Sequence, residues 1–563
     1  MKYITISFLF LLLLAACAEK KEEMNLVFQN VNVITMDEEQ PSAETVITSG
    51  NKIIYAGSAS GAQSYINSKS KFIDLRGKTM VPGFIDGHAH LWGLGEFLIN
   101  IDLTNIKSWD EAVQLVKTAA EKADPGQWIS GSGWHQEKWQ EVPANAVSGY
   151  PVHLEISAAA PDNPVRLEHA SGHALIANQK ALDLAGIDAS TSDPDDGIIL
   201  KDDKGQPTGI LLEHAMSFVN SIYYAYENTL DPAEKEKYYK SLVRQVAKHC
   251  TENGITSFQE AGTSLFGIEI LKEMAEQGDL PLRLWLMISS EEKLTNEVLQ
   301  KYRMVGAGNN FLTVRAIKQY IDGALGTHGA WLLQPYSDMP STSGINVTPL
   351  DKIRQTAQLA FDNNYQLCTH AIGDRGNREM LDIYQQVLQG QKDRRWRIEH
   401  AQHLSVEDIS RFAGLGIIAS FQTVHCTSDG PWVAKRIGDK RAEEGAYVWQ
   451  KILQSAGHLA NGTDAPVESI NVIENYYAAV TRRLNDGTQF YPQQVLSRKQ
   501  ALASVTIWNA YAAFEENIKG SITAGKLADM AVLSQDILTV PEEEILNTTV
   551  DMTILDGKVV FKR

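Results

Sequence analysis

The sequence predicts an α/β protein whose centre is a (β/α)₈ barrel, with a small β-sandwich domain formed from both chain ends and an inserted subdomain after the first barrel strand. The middle of the chain alternates strand and helix patterns, while both ends are rich in short strands. Alternating strands and helices favour a parallel sheet, because each helix then connects two parallel strands. The 563 residues are enough for a large barrel with additional domains.

The N-terminal segment is predicted to lie outside the fold. A positively charged start is followed by an apolar run from Ile4 to Leu14, which is short for a membrane-spanning helix and typical of a signal peptide. The run ends in Leu-Ala-Ala-Cys and resembles a bacterial lipoprotein signal, so we expect residues 1–16 to be removed, Cys17 to carry lipid and residues 17–24 to be a tether. The alternative is a plain secretory signal. A lipid anchor would hold the protein in the cell envelope, at the periplasmic face or the cell surface.

Short strands with turn signals occupy both ends of the folded chain. Residues 25–80 contain apolar runs such as Val31–Thr35, and residues 511–563 contain similar runs with Asp556-Gly557 as a hairpin turn. We expect these two segments to form one β-sandwich domain together.

Eight apolar segments within residues 81–510 are predicted to be the barrel strands. They are Val81–Asp86, Ile255–Glu260, Leu282–Ile288, Leu312–Tyr320, Gln366–His370, Trp396–His400, Ile417–Gln422 and Leu459–Thr463. Helix-start signals lie between and after them, including a capping box of Ser497 and Gln500. About 165 residues separate the first two strands, far more than one connecting helix requires. We interpret residues 127–214 as a subdomain inserted near the barrel mouth.

Composition and charge restrict the possible partners. The chain is 44% hydrophobic and 21% charged, which is typical of a globular protein. Its net charge of −18 argues against nucleic acid or an anionic membrane surface as a partner, so membrane contact is expected through the lipid alone. Only three cysteines remain besides Cys17, without a Cys-x-x-Cys spacing, so no disulfide framework is expected. A small-molecule substrate is the expected partner, and a homo-oligomer is compatible with the sequence.

Two histidines follow the apolar part of the first predicted barrel strand. His88 and His90 are two residues apart, so both side chains lie on the same face of an extended strand. Neutral imidazole is the commonest metal ligand in proteins. Two polar residues that simply end a strand are the alternative interpretation. Further candidate ligands occur in or after other apolar runs, namely Lys318, His370, His400 and Asp464.

Four motifs resemble the amidohydrolase superfamily of metal-dependent hydrolases. They are Pro-Gly-Phe-Ile-Asp-Gly-His88-Ala-His90, Thr-His370-Ala-Ile-Gly-Asp, Ile-Glu-His400-Ala-Gln and Gly-Thr-Asp464-Ala-Pro-Val. They occur in the family's order, and the segment around Lys318 is similar to the YtcJ-like branch of the superfamily. The resemblance extends from about Leu26 to the C-terminus. It implies the barrel, the terminal β domain and the insert.

The resemblance also implies a site for one or two divalent metal ions, Zn²⁺ or another first-row ion. The implied ligands are His88, His90, Lys318, His370, His400 and Asp464. With two ions, His88, His90 and Asp464 hold one and His370 and His400 hold the other. A protonated lysine cannot bind a cation, so Lys318 would react with CO₂ and bridge both ions as a carbamate. An unmodified Lys318 paired with Asp322 or another carboxylate is the alternative.

Three functions remain open from the sequence. The first is hydrolysis of a C–N bond in a small amide, cyclic amide or N-acyl compound by a metal-activated hydroxide, with Asp464 as the catalytic proton-transfer group. The second is a deaminase or isomerase with a single metal ion and unmodified Lys318. The third is a non-catalytic lipoprotein that binds a ligand. Because no ligand of the set is missing, we favour the hydrolase, with His425 and His328 as candidate substrate contacts.

Overall fold

The structure is a computed structural model. It describes residues 24–104, 106–136, 139–141, 143–169, 174–194, 197–229 and 231–563. The predicted signal peptide and lipidation site, Cys17, therefore lie outside the described residues. Within the described ranges, every helix is too short or too polar to cross a membrane.

Eight parallel strands form the barrel in the middle of the chain, as the sequence predicts. In chain order they are β1 (Phe84–Ala89), β2 (Ile255–Thr263), β3 (Arg283–Ser289), β4 (Leu312–Tyr320), β5 (Gln366–Ala371), β6 (Arg397–His400), β7 (Ile418–Phe421) and β8 (Ala460–Asn461). Each strand pairs in parallel with the next one from β1 to β8. The first strand begins and ends three residues later than predicted, because Thr79–Pro82 pairs instead with a strand of the terminal β domain. His88 therefore lies within β1 and not after it.

The barrel closes between β8 and β1 through the segment that follows β8. The backbone N–H of Asp464 donates to the carbonyl of His88 at 2.7 Å, and the N–H of His90 donates to the carbonyl of Ala465 at 2.8 Å. Gly462 lies so close to β1 that an added Cβ would be 2.3 Å from the His88 nitrogen. The closure thus places the Asp464 segment directly against β1, which contains His88, and against His90, which follows it.

Helices connect the barrel strands and continue beyond the last one. Their bounds are Leu91–Ile99, Met216–Thr229, Pro232–Glu252, Leu265–Gln277, Asn296–Tyr302, Ala307–Asn310, Leu350–Asp362, Asp374–Leu388, Val406–Leu415, His425–Ile437, Asp439–Gly445, Trp449–Ala456, Val472–Thr481, Arg498–Ser504 and Ile507–Ala512. Ser497 and Gln500 form the predicted capping box at the start of one of them. One large apolar cluster includes residues of the barrel strands and of these helices, so the helices shield the barrel from water.

Two β-sheets beside the barrel are built from the chain ends, and the second of them contains strands from both ends. The first sheet contains Asn25–Gln29, Thr45–Ser49, Lys52–Gly57 and Lys71–Asp74. The second contains Asn32–Ile34, Ser42–Ala43, Thr79–Pro82, Met530–Leu533, Val550–Leu555 and Lys558–Lys562. Because Thr79–Pro82 pairs antiparallel with Met530–Leu533, the two ends of the chain share a sheet. Phe28 and Val46 from the first sheet share one buried apolar cluster with Met80, Val532 and Ile554 from the second.

A six-stranded sheet lies between β1 and β2 along the chain. Its strands, in spatial order, are Gly197–Lys201, Pro207–Glu213, Ala174–Ala177, Val165–His169, Ile129–Trp134 and Ile101–Asp102. Helices Trp109–Ala120, Leu154–Ala159 and Gln179–Ala185 lie between these strands in sequence. The sheet starts at Ile101, before the predicted boundary at residue 127. Its first strand has only two residues, too few for an alternating pattern to be detected in the sequence.

Replacement of Gly462 tests the closure of the barrel. We expect Gly462→Ala to lower the free energy of unfolding by about 1–3 kcal/mol, because the new methyl group overlaps the backbone of β1. The measurement is the midpoint of urea-induced unfolding. Gly414→Ala is the matched control, since an added Cβ there has no atom within 4 Å and alanine favours a helix. If Gly462→Ala unfolded at the same urea concentration as the control, the closure would have room for a side chain.

Candidate metal centre

The predicted ligands meet at the carboxyl-terminal ends of the barrel strands. They are His88 on β1, His90 just after it, Lys318 on β4, His370 on β5, His400 at the end of β6 and Asp464 in the segment after β8. Parallel strands of a barrel end at the same face, which is where barrel enzymes place their active sites. The fold therefore brings together residues that are up to 376 positions apart, from 88 to 464.

His88, His90 and Asp464 form one compact group. Asp464 Oδ1 lies 3.0 Å from His90 Nε2 and 3.4 Å from His88 Nε2. One ligand atom from each of the three side chains lies within 4.8 Å of the others. Although these atoms are close, Oδ1 has no partner with hydrogen-bond geometry among the described residues. Two imidazole nitrogens and a buried carboxylate oxygen this close together fit a shared cation.

A second group contains His400, His425 and the same aspartate. His425 Nε2 lies 3.2 Å from Asp464 Oδ2, so the predicted substrate contact directly holds a predicted ligand. The His400 ring centroid lies 4.6 Å from that of His370 and 4.9 Å from that of His88. His370 Nε2 is buried without a hydrogen-bond partner among the described residues. His370 thus has a buried nitrogen without a hydrogen bond beside His400, and that nitrogen also lies 3.6 Å from Asp322 Oδ1.

Lys318 is buried beside both groups. Its Nζ lies 3.4 Å from His88 Nε2, and across the residues that the structure describes it forms no ion pair with a carboxylate. Asp322, the alternative partner, instead accepts three backbone N–H groups from the segments after β4 and β5. Burial lowers the pKa of Lys318, which increases the fraction of neutral amine. The neutral amine is the form that reacts with CO₂.

Two buried side chains that orient the histidines were missed by the sequence analysis. His88 Nδ1 bonds to Glu399 Oε2 at 2.5 Å, and His400 Nδ1 bonds to Gln422 Oε1 at 2.7 Å. Each bond leaves the Nε2 atom of the histidine free to face the centre. For Glu399, the available signal was a carboxylate directly before a predicted ligand in a predicted barrel strand, since Glu399 lies between Ile398 and His400.

The electrostatics of the centre favour an ionised carboxylate and a neutral imidazole. Burial raises the pKa of Asp464, but its neighbours His425, His88 and His90 outweigh that effect and hold it well below the ordinary value. Burial lowers the pKa of His370 to about 3. Burial also lowers the pKa of His425, but bonds to carboxylates outweigh it and raise that pKa to about 10. Asp464 and His370 are therefore in the forms that bind cations.

His328 lies in the segment after β4, away from this cluster. Its Nε2 pairs with Asp338 Oδ1 at 3.1 Å, and its ring lies 4.8 Å from that of Tyr336. Within the described part of the chain, no hydrogen bond, ion pair or ring contact joins it to the predicted ligands. A role in substrate binding stays a prediction.

A barrel of this kind with histidines, a lysine and an aspartate at its carboxyl-terminal face defines the metal-dependent hydrolase class. A family model described as "Amidohydrolase family" matches residues 71–561, and the chain belongs to that family. The paired histidine and aspartate groups, together with the family, support a divalent metal at this face.

Individual relatives agree with this assignment over nearly the full length. The chain is 30% identical over 553 residues to Protein LONG AFTER FAR-RED 3 of Arabidopsis thaliana, covering 95% of this chain and 91% of that protein. It is 28% identical to YtcJ of Bacillus subtilis (strain 168), with coverage of 96% and 100%. It is 26% identical to the N-substituted formamide deformylase of Arthrobacter pascens, with coverage of 96% and 98%. The predicted membership of the YtcJ-like branch of amidohydrolases is confirmed.

A solved structure supports the fold. The chain aligns with a metal-dependent hydrolase from Pyrococcus horikoshii OT3 with a TM-score of 0.75 and 26% identity, covering 92% of this chain and 99% of that one. Together with the family, this similarity confirms the predicted barrel with additional domains and supports a hydrolase.

Proposed function

We propose that the protein is a metal-dependent amidohydrolase that cleaves a C–N bond in a small amide, cyclic amide or N-acyl compound. The observation that carries the proposal is the convergence of His88, His90 and Asp464 at the barrel mouth with a buried Lys318 that has no carboxylate partner among the described residues. The similarity to an enzyme named for an N-substituted formamide, which is an amide, supports the type of bond.

The donor set fits one or two ions. His88, His90 and Asp464 would hold one ion, His370 and His400 would hold a second, and a carbamate on Lys318 would supply oxygen to both. The mix of imidazole nitrogen and carboxylate oxygen suits Zn²⁺. Such an ion, when bound, lowers the pKa of water and polarises a carbonyl group.

Asp464 is the proton-transfer group of the proposed reaction. Its carboxylate is ionised, so it accepts a proton from the attacking water and then delivers it to the leaving nitrogen. His425 holds Oδ2 from one side, which leaves Oδ1 directed at His88 and His90. Glu468 in turn bonds to His425 Nδ1 at 3.3 Å. This chain of contacts fixes the orientation of the carboxylate before substrate binds.

A deaminase or isomerase with a single ion is the second candidate. One observation favours it: His370 belongs to neither of the two close ligand groups, whereas His88, His90 and Asp464 already form a three-ligand site. Catalytic zinc sites commonly have three protein ligands and one open position.

Replacement of the proposed proton-transfer group tests the reaction. We expect the metal-loaded protein to hydrolyse at least one compound in a panel of N-substituted formamides, N-acyl amino acids and cyclic amides. Asp464→Asn should lower kcat by about 10²–10⁴-fold, because the amide cannot accept the proton. Asp351→Asn, at a side chain that is 90% exposed, is the control and should leave kcat unchanged. Release of ammonia from amino-substituted rings, without hydrolysis of any amide in the panel, would favour the deaminase instead.

Metal content tests the role of Lys318. We expect two ions per chain in the parent and fewer in Lys318→Ala, because the variant lacks the amine that would form the carbamate. Atomic emission on dialysed protein gives the number of ions. Lys301→Ala, at an exposed lysine, is the control. One ion per chain in all three proteins would contradict the carbamate and support the single-ion alternative.

We also propose that the mature protein is anchored in the cell envelope by lipid on Cys17. Expressed from its full sequence in a bacterium that processes lipoproteins, the chain should fractionate with membranes, because acyl chains bury hydrocarbon in the bilayer. Cys17→Ser should move it out of the membrane fraction, and Ala18→Ser, the neighbouring control, should not. Mass spectrometry of the N-terminal peptide identifies the lipid. An unmodified Cys17 in the mature protein would show a plain secretory signal.

A further inference from the structure

We infer that Glu399 and Gln422 are positioning residues that make the two halves of the metal centre bind their ions with unequal affinity. His88, in one half, bonds to a carboxylate, whereas His400, in the other half, bonds to an amide. The inference rests on the metal centre of the proposed function. It identifies the residues that determine how tightly each half of the centre binds its ion.

Glu399 is fixed by a fully buried ion pair with Arg397. The guanidinium donates from Nε to Oε1 at 2.7 Å and from Nη2 to Oε2 at 2.9 Å. Arg397 also donates to the carbonyl of Gly87, to Gln259 Oε1 and to Ser420 Oγ. These contacts join β6 to β1, β2 and β7 through the barrel interior. The carboxylate therefore has a defined position before any ion binds.

The pairing determines which nitrogen of His88 faces the centre. A carboxylate held by a guanidinium is an acceptor only, so His88 must carry its proton on Nδ1 and present the lone pair of Nε2. That Nε2 atom is the one that lies 3.4 Å from Asp464 Oδ1. A charged acceptor on Nδ1 also makes the imidazole a stronger donor to a metal.

The arrangement at His400 has the same geometry but a neutral acceptor. Gln422 Oε1 bonds to His400 Nδ1 at 2.7 Å, while Gln422 Nε2 donates to the carbonyl of Ser420 at 3.3 Å, which fixes the orientation of the amide. The amide selects the same tautomer for His400 but withdraws less positive charge from the ring. The ion held by His88 should therefore be the more tightly bound of the two.

A chelator titration of the mature, Co²⁺-loaded protein tests this inference. The retained metal per chain and the visible absorption of Co²⁺ are followed as dipicolinate is added. The parent should lose its ions in two separate steps. In Glu399→Gln, the affinity for the more tightly bound ion should fall by about 10–100-fold, while the affinity for the other ion stays unchanged. In Gln422→Met, only the affinity for the more weakly bound ion should fall.

Asp529→Asn is the matched control for loss of a buried carboxylate. Asp529 forms an ion pair with the buried Arg283 at 2.7 Å. Arg283 is the first residue of β3, at the opposite end of the strand from the predicted ligands. This variant should lose stability but keep both steps of the titration. If Glu399→Gln does not fold because Arg397 is left unpaired, the double variant Arg397→Met/Glu399→Gln removes that charge and should show the same weakened step.

The outcomes separate this inference from the proposed function. It is overturned if Glu399→Gln releases metal like the parent, if both variants weaken the same step, or if Asp529→Asn weakens a step equally. A parent with a single ion, or with two ions of equal affinity, also overturns it. A parent without metal contradicts the proposed function as well. A parent with two unequal steps that hydrolyses no amide leaves the inference standing and overturns only the proposed activity.

Discussion

The buried ion pair between Arg397 and Glu399 is the interaction on which the metal centre depends. Both side chains are fully removed from water, a state that is unfavourable for isolated charges and acceptable only when each polar atom has a partner. The pair meets that condition by joining four barrel strands and His88 in one network. Loss of one partner would leave a buried charge, at a cost of about 3–5 kcal/mol. Stability of the barrel and orientation of a predicted ligand thus depend on the same contacts.

The closing segment after β8 imposes a second constraint. Asp464 has a positive φ of 60°, and His400, at the end of β6, has a φ of 70°. Side chains other than glycine rarely adopt this backbone conformation, and such residues concentrate at functional sites. Asp86 helps to hold the backbone at Asp464 through the preceding residue, Thr463. The Asp86 carboxylate accepts hydrogen bonds from the backbone N–H and the hydroxyl of Thr463 and from the backbone N–H of His88. The local strain is therefore balanced by bonds between the first and last barrel strands.

Much of this arrangement could be predicted from local sequence signals. Long apolar runs identified the strands, and a polar residue in or just after a run identified most candidate ligands. Two kinds of feature could not be predicted. The start of β1 depends on pairing between Thr79–Pro82 and a strand about 450 residues later, and the bond from Glu399 to His88 joins residues 311 positions apart. His425 was predicted to be a substrate contact but not a partner of Asp464, because its orientation depends on the helix that starts at this residue.

The state of Lys318 connects the stability of the site with its chemistry. A buried ammonium without an ion pair is unfavourable, and Lys318 Nζ lies 3.4 Å from a histidine nitrogen that should itself face a cation. An unmodified lysine would place positive charge beside the proposed metal ions. Addition of CO₂ to the neutral amine, with loss of a proton, would give an anion with two oxygens. The proposed carbamate would thus remove the repulsion and supply oxygens to the ions. The same burial that makes the ammonium unfavourable lowers the pKa of Lys318 and so supplies the neutral amine that this conversion needs.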